Sequence, residues 1–218
     1  HNNMKKAIVL GGSRGIGKAI SESLKSLEIE VITASKSDID TSNIESVRKF
    51  SHEHPKTDIL ILNTGGPPVI EFNKISESDW NHYHNQLFVG FCTMLQEISI
   101  NDNGYIFVIT SNVIKEPNSK LIISSAYRAA FSSVFKILSK DFAKREVSCI
   151  NIAPGPINTD RTKELVSNVT EFADTLPMKR LGKPEEIGNF VKSIIDNDIK
   201  YLSGVVINFD GGNSNFIF

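Results

Sequence analysis

Short apolar runs and longer stretches of helical periodicity take turns along this chain. Residues 7–10, Ala7-Ile8-Val9-Leu10, form an unbroken apolar run, the pattern of a strand buried on both faces. Residues 18–27 then space their apolar positions as one face of a helix. A second strand is expected over 30–34, around Val31-Ile32-Thr33, and a helix over 43–52 with Ile44, Val47 and Phe50 on one side. A third strand follows over 58–62, aliphatic after its first residue, and then a long helix over 78–98. Asn101-Asp102-Asn103-Gly104 reads as a turn opening a strand over 105–110. A second long helix over 124–145, a strand over 147–152, a helix over 184–196 and a strand over 205–209 complete the series.

Strands this apolar need cover on both sides, and strands alternating with helices supply it. The expected fold is one α/β domain, a doubly wound parallel sheet with helices on both faces. Right-handed crossovers put its ligand-binding residues at the carboxyl ends of the strands. At 218 residues the chain is long enough for one substantial core, and no repeat or linker divides it.

Composition mainly excludes. Charged residues are 22% of the chain and the formal net charge is -1, with no basic block, so no nucleic-acid partner is expected. Cys92 and Cys149 are too few for a disulfide framework or a metal cluster, which favours the reducing cytoplasm. No signal peptide or membrane-length apolar run is found, so no membrane partner is expected either. His1-Asn2-Asn3 precede Met4 and read as the remnant of an expression tag, leaving 4–218 as the domain. His52-Glu53-His54 and His82-Tyr83-His84 repeat His at i and i+2, which sends the rings to different helix faces, so no metal site is expected.

The first strand runs into Gly11-Gly12-Ser13-Arg14-Gly15-Ile16-Gly17, and a helix follows. A strand, a glycine turn and a helix N-terminus make an anion site, because free N–H groups and the helix dipole both favour negative charge. The spacing is nearly that of a P-loop, with Gly12 followed after four residues by Gly17-Lys18. Ala19, however, stands where magnesium would need a hydroxyl. A plain turn without ligand is the bland alternative. After the second strand, Ser35-Lys36 occupies the place where an NAD-preferring protein carries an acid on the adenosine ribose. A neutral Ser, Lys36 and Arg14 suit an extra 2′-phosphate instead, which favours NADP(H) over NAD(H). Solvated surface charges are the competing reading.

Gly11, Gly15 and Gly17, in the pattern G-x-x-x-G-x-G, resemble the cofactor loop of the short-chain dehydrogenase/reductase family, a Rossmann-like fold. Ser13, Arg14 and Ile16 lie in the same loop. Leu62-Asn63-Thr64-Gly65 resembles that family's Asn-Asn-Ala-Gly turn. Asn151-Ile152-Ala153-Pro154-Gly155-Pro156-Ile157-Asn158-Thr159 resembles its Pro-Gly segment. Arg180-Leu181-Gly182-Lys183-Pro184-Glu185-Glu186-Ile187, Ser203-Gly204 and Asp210-Gly211-Gly212 extend the likeness over residues 5–212. The type most resembled is the 3-oxoacyl-carrier-protein reductase, slightly shortened. The resemblance implies a cofactor site that includes Asn63, Gly65, Pro154 and Gly155. Ile157 and Thr159 would lie on the nicotinamide and Asp40 beside the adenine. For Asp40 a helix N-terminal acid is the alternative. It also implies a substrate lid over 159–180, where Leu165, Val169, Phe172 and Leu176 form an apolar stripe, and a homo-oligomer, dimer or tetramer, built through the two long helices.

The catalytic positions depart from the family. Ser111 stands at the family's Ser, but Ser124 falls at the Tyr position, Arg128 at the Lys position and Leu87 at the Asn position. Tyr127 is the one tyrosine near that register, offset by three residues on the helix, with packing at a helix interface as its alternative role. An aliphatic hydroxyl is a far poorer acid than a phenol. A guanidinium keeps its charge but relays no proton, so Arg128 serves to bind the cofactor ribose. The resulting expectation is an NADP(H)-dependent oxidoreductase acting on a carbonyl or alcohol, with Ser111, Ser124, Tyr127 and Arg128 as candidate catalytic residues. The rival expectation is a dinucleotide-binding protein of the same fold without turnover.

Overall fold

The computed structural model describes residues 4–218, so the reading of residues 1–3 lies outside it. Six strands form one wholly parallel sheet: β1 (Lys6–Leu10), β2 (Glu30–Ala34), β3 (Lys56–Leu62), β4 (Ser99–Ile109), β5 (Ser148–Pro154) and β6 (Val205–Phe209), in the order β2-β1-β3-β4-β5-β6. From β1 the chain winds outward through helix α1 (Gly15–Lys25) to β2, then returns through α2 (Ile44–Glu53) to β3 on the other side of β1. That reversal opens a crevice beyond the ends of β1 and β3, the place where doubly wound sheets take their ligands. Ala7 pairs with Val31 on one side and Ile59 on the other, so β1 is clamped along its length.

Both faces of the sheet are buried, as the apolar strands require. Ile8, Leu10, Leu60, Leu62, Ile106 and Val108 point into one core with Phe91, Phe131 and Phe135. Their alternates Ala7, Val9, Ile59, Ile61 and Phe107 point into the other, under α1 and α8 (Pro184–Asp196). Gly188 lets α8 close onto α1, since a Cβ there would stand 2.7 Å from the Ala19 carbonyl oxygen.

The expected elements are present, with three differences. The turn expected at 101–104 lies inside β4, because Ser99 and Ile100 already pair with Lys56 and Thr57 before the ladder resumes at Tyr105 opposite Ile59. Asn103 takes the excursion at φ +63°, and buried Ile100 anchors its start. The helix expected over 78–98 comes as α3 (Glu77–His84), a π turn at Asn85–Val89 and α4 (Gly90–Glu97). Gly90 sits against the chain there, with a would-be Cβ 2.4 Å from the Thr41 carbonyl oxygen. The second long helix is α5 (Ile122–Ala143). Between β5 and α8, the 159–180 segment forms two short helices, α6 (Asp160–Leu165) and α7 (Val169–Asp174). They split the apolar stripe: Leu176 is buried, while Leu165 is exposed.

Candidate active site

The glycine turn at the end of β1 is held by packing that only glycine permits. Gly11 and Gly15 take φ of +60° and +54°. A Cβ on Gly17 would lie 2.1 Å from the Gly11 carbonyl oxygen. Asn63, just past β3, closes the turn by donating from Nδ2 to the Leu10 carbonyl at 3.2 Å. Arg14 precedes α1 with extended backbone and caps it with no side-chain bond. Gly15, Ile16 and Gly17 therefore present N–H groups with no intrahelical acceptor, at the positive end of the helix. This cradle fits a dinucleotide pyrophosphate. Thr159, 142 residues beyond Gly17, is brought against it: its Cγ2 stands 3.4 Å from where a Cβ on Gly15 would be. Ile157, buried, is fixed by a bridge to Gly182, and Gly155 passes Asp210 where a Cβ would meet that residue's Cβ at 2.6 Å.

Beyond β2, Arg14 and Lys36 are both exposed and form no ion pair among the described residues. An acid does lie close by, Asp38, which the motif comparison passes over. Its carboxylate turns back to accept from the Ser35 N–H at 2.8 Å and the Ser35 hydroxyl at 3.0 Å, and that backbone bond holds its pKa below the ordinary value. Asp40 accepts from the Ser42 hydroxyl at 2.6 Å and from its N–H at 3.0 Å. The Ser42 hydroxyl also lowers the Asp40 pKa. Its place is the turn that leads to Asn43, the N-cap of α2. After β3, Gly65 has open space where a Cβ would be, and Gln86 from the π turn donates to both Thr64 Oγ1 and the Gly65 carbonyl at 3.0 Å. Gln86 is a positioning residue without a motif to announce it.

Ser111, two residues past β4, caps a short turn, accepting from the Val113 N–H at 3.3 Å and donating to Asn112 Oδ1 at 3.2 Å. Ser124 and Arg128 lie on α5, and Arg128 reaches the end of β4. Arg128 Nε donates to Ser124 Oγ at 2.9 Å and Nη1 to the Ile109 carbonyl at 3.2 Å. A relay fixes that part of α5 to the sheet: Thr110 donates to Asn151 Oδ1 at 2.6 Å, Asn151 Nδ2 to Ser132 Oγ at 2.9 Å, and Ser132 to the Arg128 carbonyl at 2.7 Å. Burial, and then the like charge of Arg161, lower the Arg128 pKa to about 10, so the guanidinium stays charged at neutral pH. Arg161, two residues past Thr159, reaches across to donate to the Pro67 carbonyl and lies against Gly66. Leu87 is fully buried in the π turn.

Tyr127 points elsewhere. Its hydroxyl donates to the Trp80 carbonyl at 3.1 Å, and its ring packs edge-on to Trp80 and against His84, between α5 and α3. The other sequence-derived positions line the carboxyl edge of the sheet: the glycine loop after β1, Ser35 and Lys36 after β2, Asn63 and Gly65 after β3, Ser111 after β4, and Pro154 to Thr159 at the end of β5. Among the described residues no group of three or more His, Cys, Asp or Glu is placed to hold a metal ion, and no helix is long and apolar enough to cross a membrane.

Known proteins share this sequence and this geometry. A family model described as enoyl-(acyl carrier protein) reductase matches residues 38–214. The NADPH-dependent reductase BacG of Bacillus subtilis is 26% identical, over 96% of this chain and 97% of its own. The 3-oxoacyl-[acyl-carrier-protein] reductase FabG of Escherichia coli is 27% identical, over 95% and 96%. Among solved structures, YwfH, an NADPH-dependent reductase involved in bacilysin biosynthesis, superposes with a TM-score of 0.85 at 25% identity, covering 99% of this chain and all of that one. A blue fluorescent protein from a metagenomic library, in complex with NADPH, has the same fold, with a TM-score of 0.87 at 22% identity over 97% and 98% of the two chains. With a family match over most of its length and relatives alike from end to end, this chain belongs to the short-chain dehydrogenase/reductase family of oxidoreductases.

Proposed function

We propose that the protein is an NADP(H)-dependent reductase that interconverts a carbonyl and an alcohol with an altered acid–base set. The observation that carries this reading is the contact between the two halves of the cofactor site, Thr159 against the Gly15 turn. It puts a helix N-terminus for the pyrophosphate beside the segment that the resemblance gives to the nicotinamide. Arg14 and Lys36, exposed and in no ion pair among the described residues, suit a 2′-phosphate. Asp38, committed to Ser35, is occupied where an NAD-preferring site would need an acid for the ribose. Relatives and fold neighbours described as using or binding NADPH agree with this preference.

When bound, the cofactor supplies the hydride; the protein's task is position, charge and a proton. Arg128, charged and aimed along Ser124, offers a fixed positive field for the oxyanion that develops as a carbonyl is reduced. Ser111 and Ser124 offer hydroxyls to orient the carbonyl, and Ser124 gives its hydroxyl proton to the product oxygen and is reprotonated from solvent. The absence of a phenol from that position lowers the expected rate, since an aliphatic hydroxyl is a weak acid. One observation favours a second reading, a dinucleotide-binding protein without turnover: Tyr127 is tied to Trp80 and supplies no phenol to Ser111. Association of this chain with copies of itself through α5 belongs to the reductase reading and rests on the family resemblance. Fluorescence titration with NADPH and NADH, then a screen of small carbonyls for NADPH oxidation, separates the readings. NADPH is expected to bind more tightly and to be consumed; tight binding without turnover across the screen would leave the second reading.

A further inference from the structure

A buried cation with no anion beside it is the least explained feature of the site. Arg128 is 7% exposed, yet its protein partners are a hydroxyl and a carbonyl, both neutral. Neither it nor Arg161 takes part in any of the ion pairs among the described residues. Glu164, one turn along α6, is the acid that bears on Arg161, and it stands beyond ion-pair distance. Desolvating a guanidinium costs more than two neutral hydrogen bonds return, and a second guanidinium within Coulomb range raises the cost again. Nη2 of Arg128 donates to no described residue, and it is not among the sealed polar atoms that lack a partner, so it keeps access to solvent.

The two cations lie within Coulomb range of each other. Arg128 is tied to Ile109, the last residue of β4, and Arg161 to Pro67 in the loop after β3. β3 and β4 are neighbours, and the two cations come to their carboxyl side from α5 and α6. Gly66 makes room for this, since a Cβ there would stand 3.0 Å from Arg161 Nη2. The cofactor's own anionic groups are provided for elsewhere, the pyrophosphate at the N-terminus of α1 and the 2′-phosphate at Arg14 and Lys36. Its nicotinamide end brings no anion to Arg128.

We infer that Arg128 and Arg161 form a subsite for a carboxylate carried by the substrate, so that the carbonyl compound reduced here is an oxoacid. Arg128 brings its unpartnered Nη2, and Arg161 the donors that Pro67 does not take, as charge-assisted hydrogen-bond donors for the two oxygens of a carboxylate. The inference rests on the reductase reading above and deepens it. With the substrate carboxylate in place one of the two positive charges is balanced and their mutual repulsion is relieved, and the reacting carbonyl is oriented between them and Ser111.

The test compares acids with their esters. Acetoacetate and 2-oxobutanoate, each beside its ethyl ester, are offered to the full chain with NADPH, and kcat/KM is read from NADPH absorbance. The acid of at least one pair is expected to be preferred by roughly tenfold or more, and Arg161→Gln to lower that preference by a similar factor. Arg161→Lys, which keeps a charge but loses the fork, should fall between them. Circular dichroism melts check that the variants fold; if Arg161→Gln does not, Arg161→Lys carries the comparison. Should no compound be turned over, calorimetric titration of the NADPH complex with the same acids and esters reads the subsite directly. Equal handling of acids and esters, or an unchanged preference in the variants, overturns the inference. So does a loss of NADPH affinity in Arg161→Gln that matches its loss of acid preference, because the anion would then be the cofactor's. Failure of the parent chain to bind NADPH at all is a different result and counts against the reductase reading itself.

Discussion

Gly17 and Gly65 both lie on the path assigned to the dinucleotide, but their surroundings predict opposite effects for the same substitution. In Gly17→Ala the new methyl carbon would sit 2.1 Å from the Gly11 carbonyl oxygen, 2.7 Å from the Gly11 carbonyl carbon and 2.8 Å from Asn63 Nδ2. Two of those atoms are backbone, so the turn itself must move, at a cost of about 1–3 kcal/mol. In a domain of this size that lowers Tm by roughly 2–12 °C. Gly65→Ala meets nothing within 4 Å, and Gly65 is not among the glycines with positive φ. Its stability without cofactor should stay within about 0.5 kcal/mol of the parent. With NADPH the order changes: the open space beside Gly65 is where the cofactor must approach, so a methyl group there should raise Kd by about tenfold, equivalent to about 1.4 kcal/mol. Thermal melts with and without NADPH, together with fluorescence titration, measure both effects. A Gly17→Ala protein that melts with the parent would refute the packing argument. An unchanged Kd in Gly65→Ala would take the β3 turn off the cofactor's path.

Other outcomes follow from the same geometry. Ser124→Ala should reduce kcat/KM for reduction more than Tyr127→Phe does, because Ser124 is paired with Arg128 and the Tyr127 hydroxyl with Trp80; steady-state kinetics giving the reverse order would return the phenol to the reaction. Tyr127→Phe should instead cost about 0.5–1.5 kcal/mol of stability, read from urea midpoints. Asn151→Leu removes the centre of the relay from Thr110 to Ser132, leaving the Thr110 hydroxyl only its long bond to the Ile152 carbonyl and Ser132 only its bond to the Arg128 carbonyl, a loss of about 1–3 kcal/mol that denaturant melts would detect. Finally, the Ser35 N–H lowers the pKa of Asp38, the Ser42 hydroxyl that of Asp40, the Ser76 N–H that of Asp79, and Arg180 that of Glu186. Carboxylates depressed in the folded state stabilise it above their unfolded values, here 3.8 for Asp and 4.5 for Glu, and lose that contribution as pH falls through the folded ones. Urea midpoints should therefore hold level above about pH 5 and drop below about pH 4; a midpoint that rises on acidification would contradict the assignment.

The sequence by itself determined the parallel sheet, its alternation with helices and the backbone of the cofactor cradle. Those features are local: an apolar run such as 7–10 is a buried strand wherever it lies, and Gly11, Gly15 and Gly17 state their need for space and unusual φ at fixed spacing. The family resemblance also singled out Ser111, Ser124 and Arg128, and the fold pairs Arg128 with Ser124 and ties it to the end of β4. Where local signals misled, a distant contact was the reason. Asn101 to Gly104 carry the residues of a turn, yet pairing of Ser99 and Ile100 with β3 draws them inside a strand. The helix through residue 87 shows an unbroken pattern, while the π turn at Asn85–Val89 interrupts it near the close approach of Gly90 to Thr41.

Only the tertiary structure decided where the functional side chains point and what they lack. Tyr127 is drawn toward Trp80, 47 residues away, and Arg161 toward Pro67, 94 residues away. That Arg128 is buried without a carboxylate follows from the residues surrounding α5, none of which its own spacing names. Spacing records the backbone each residue needs. Desolvation and charge compensation are sums over neighbours, and the fold alone brings those neighbours together.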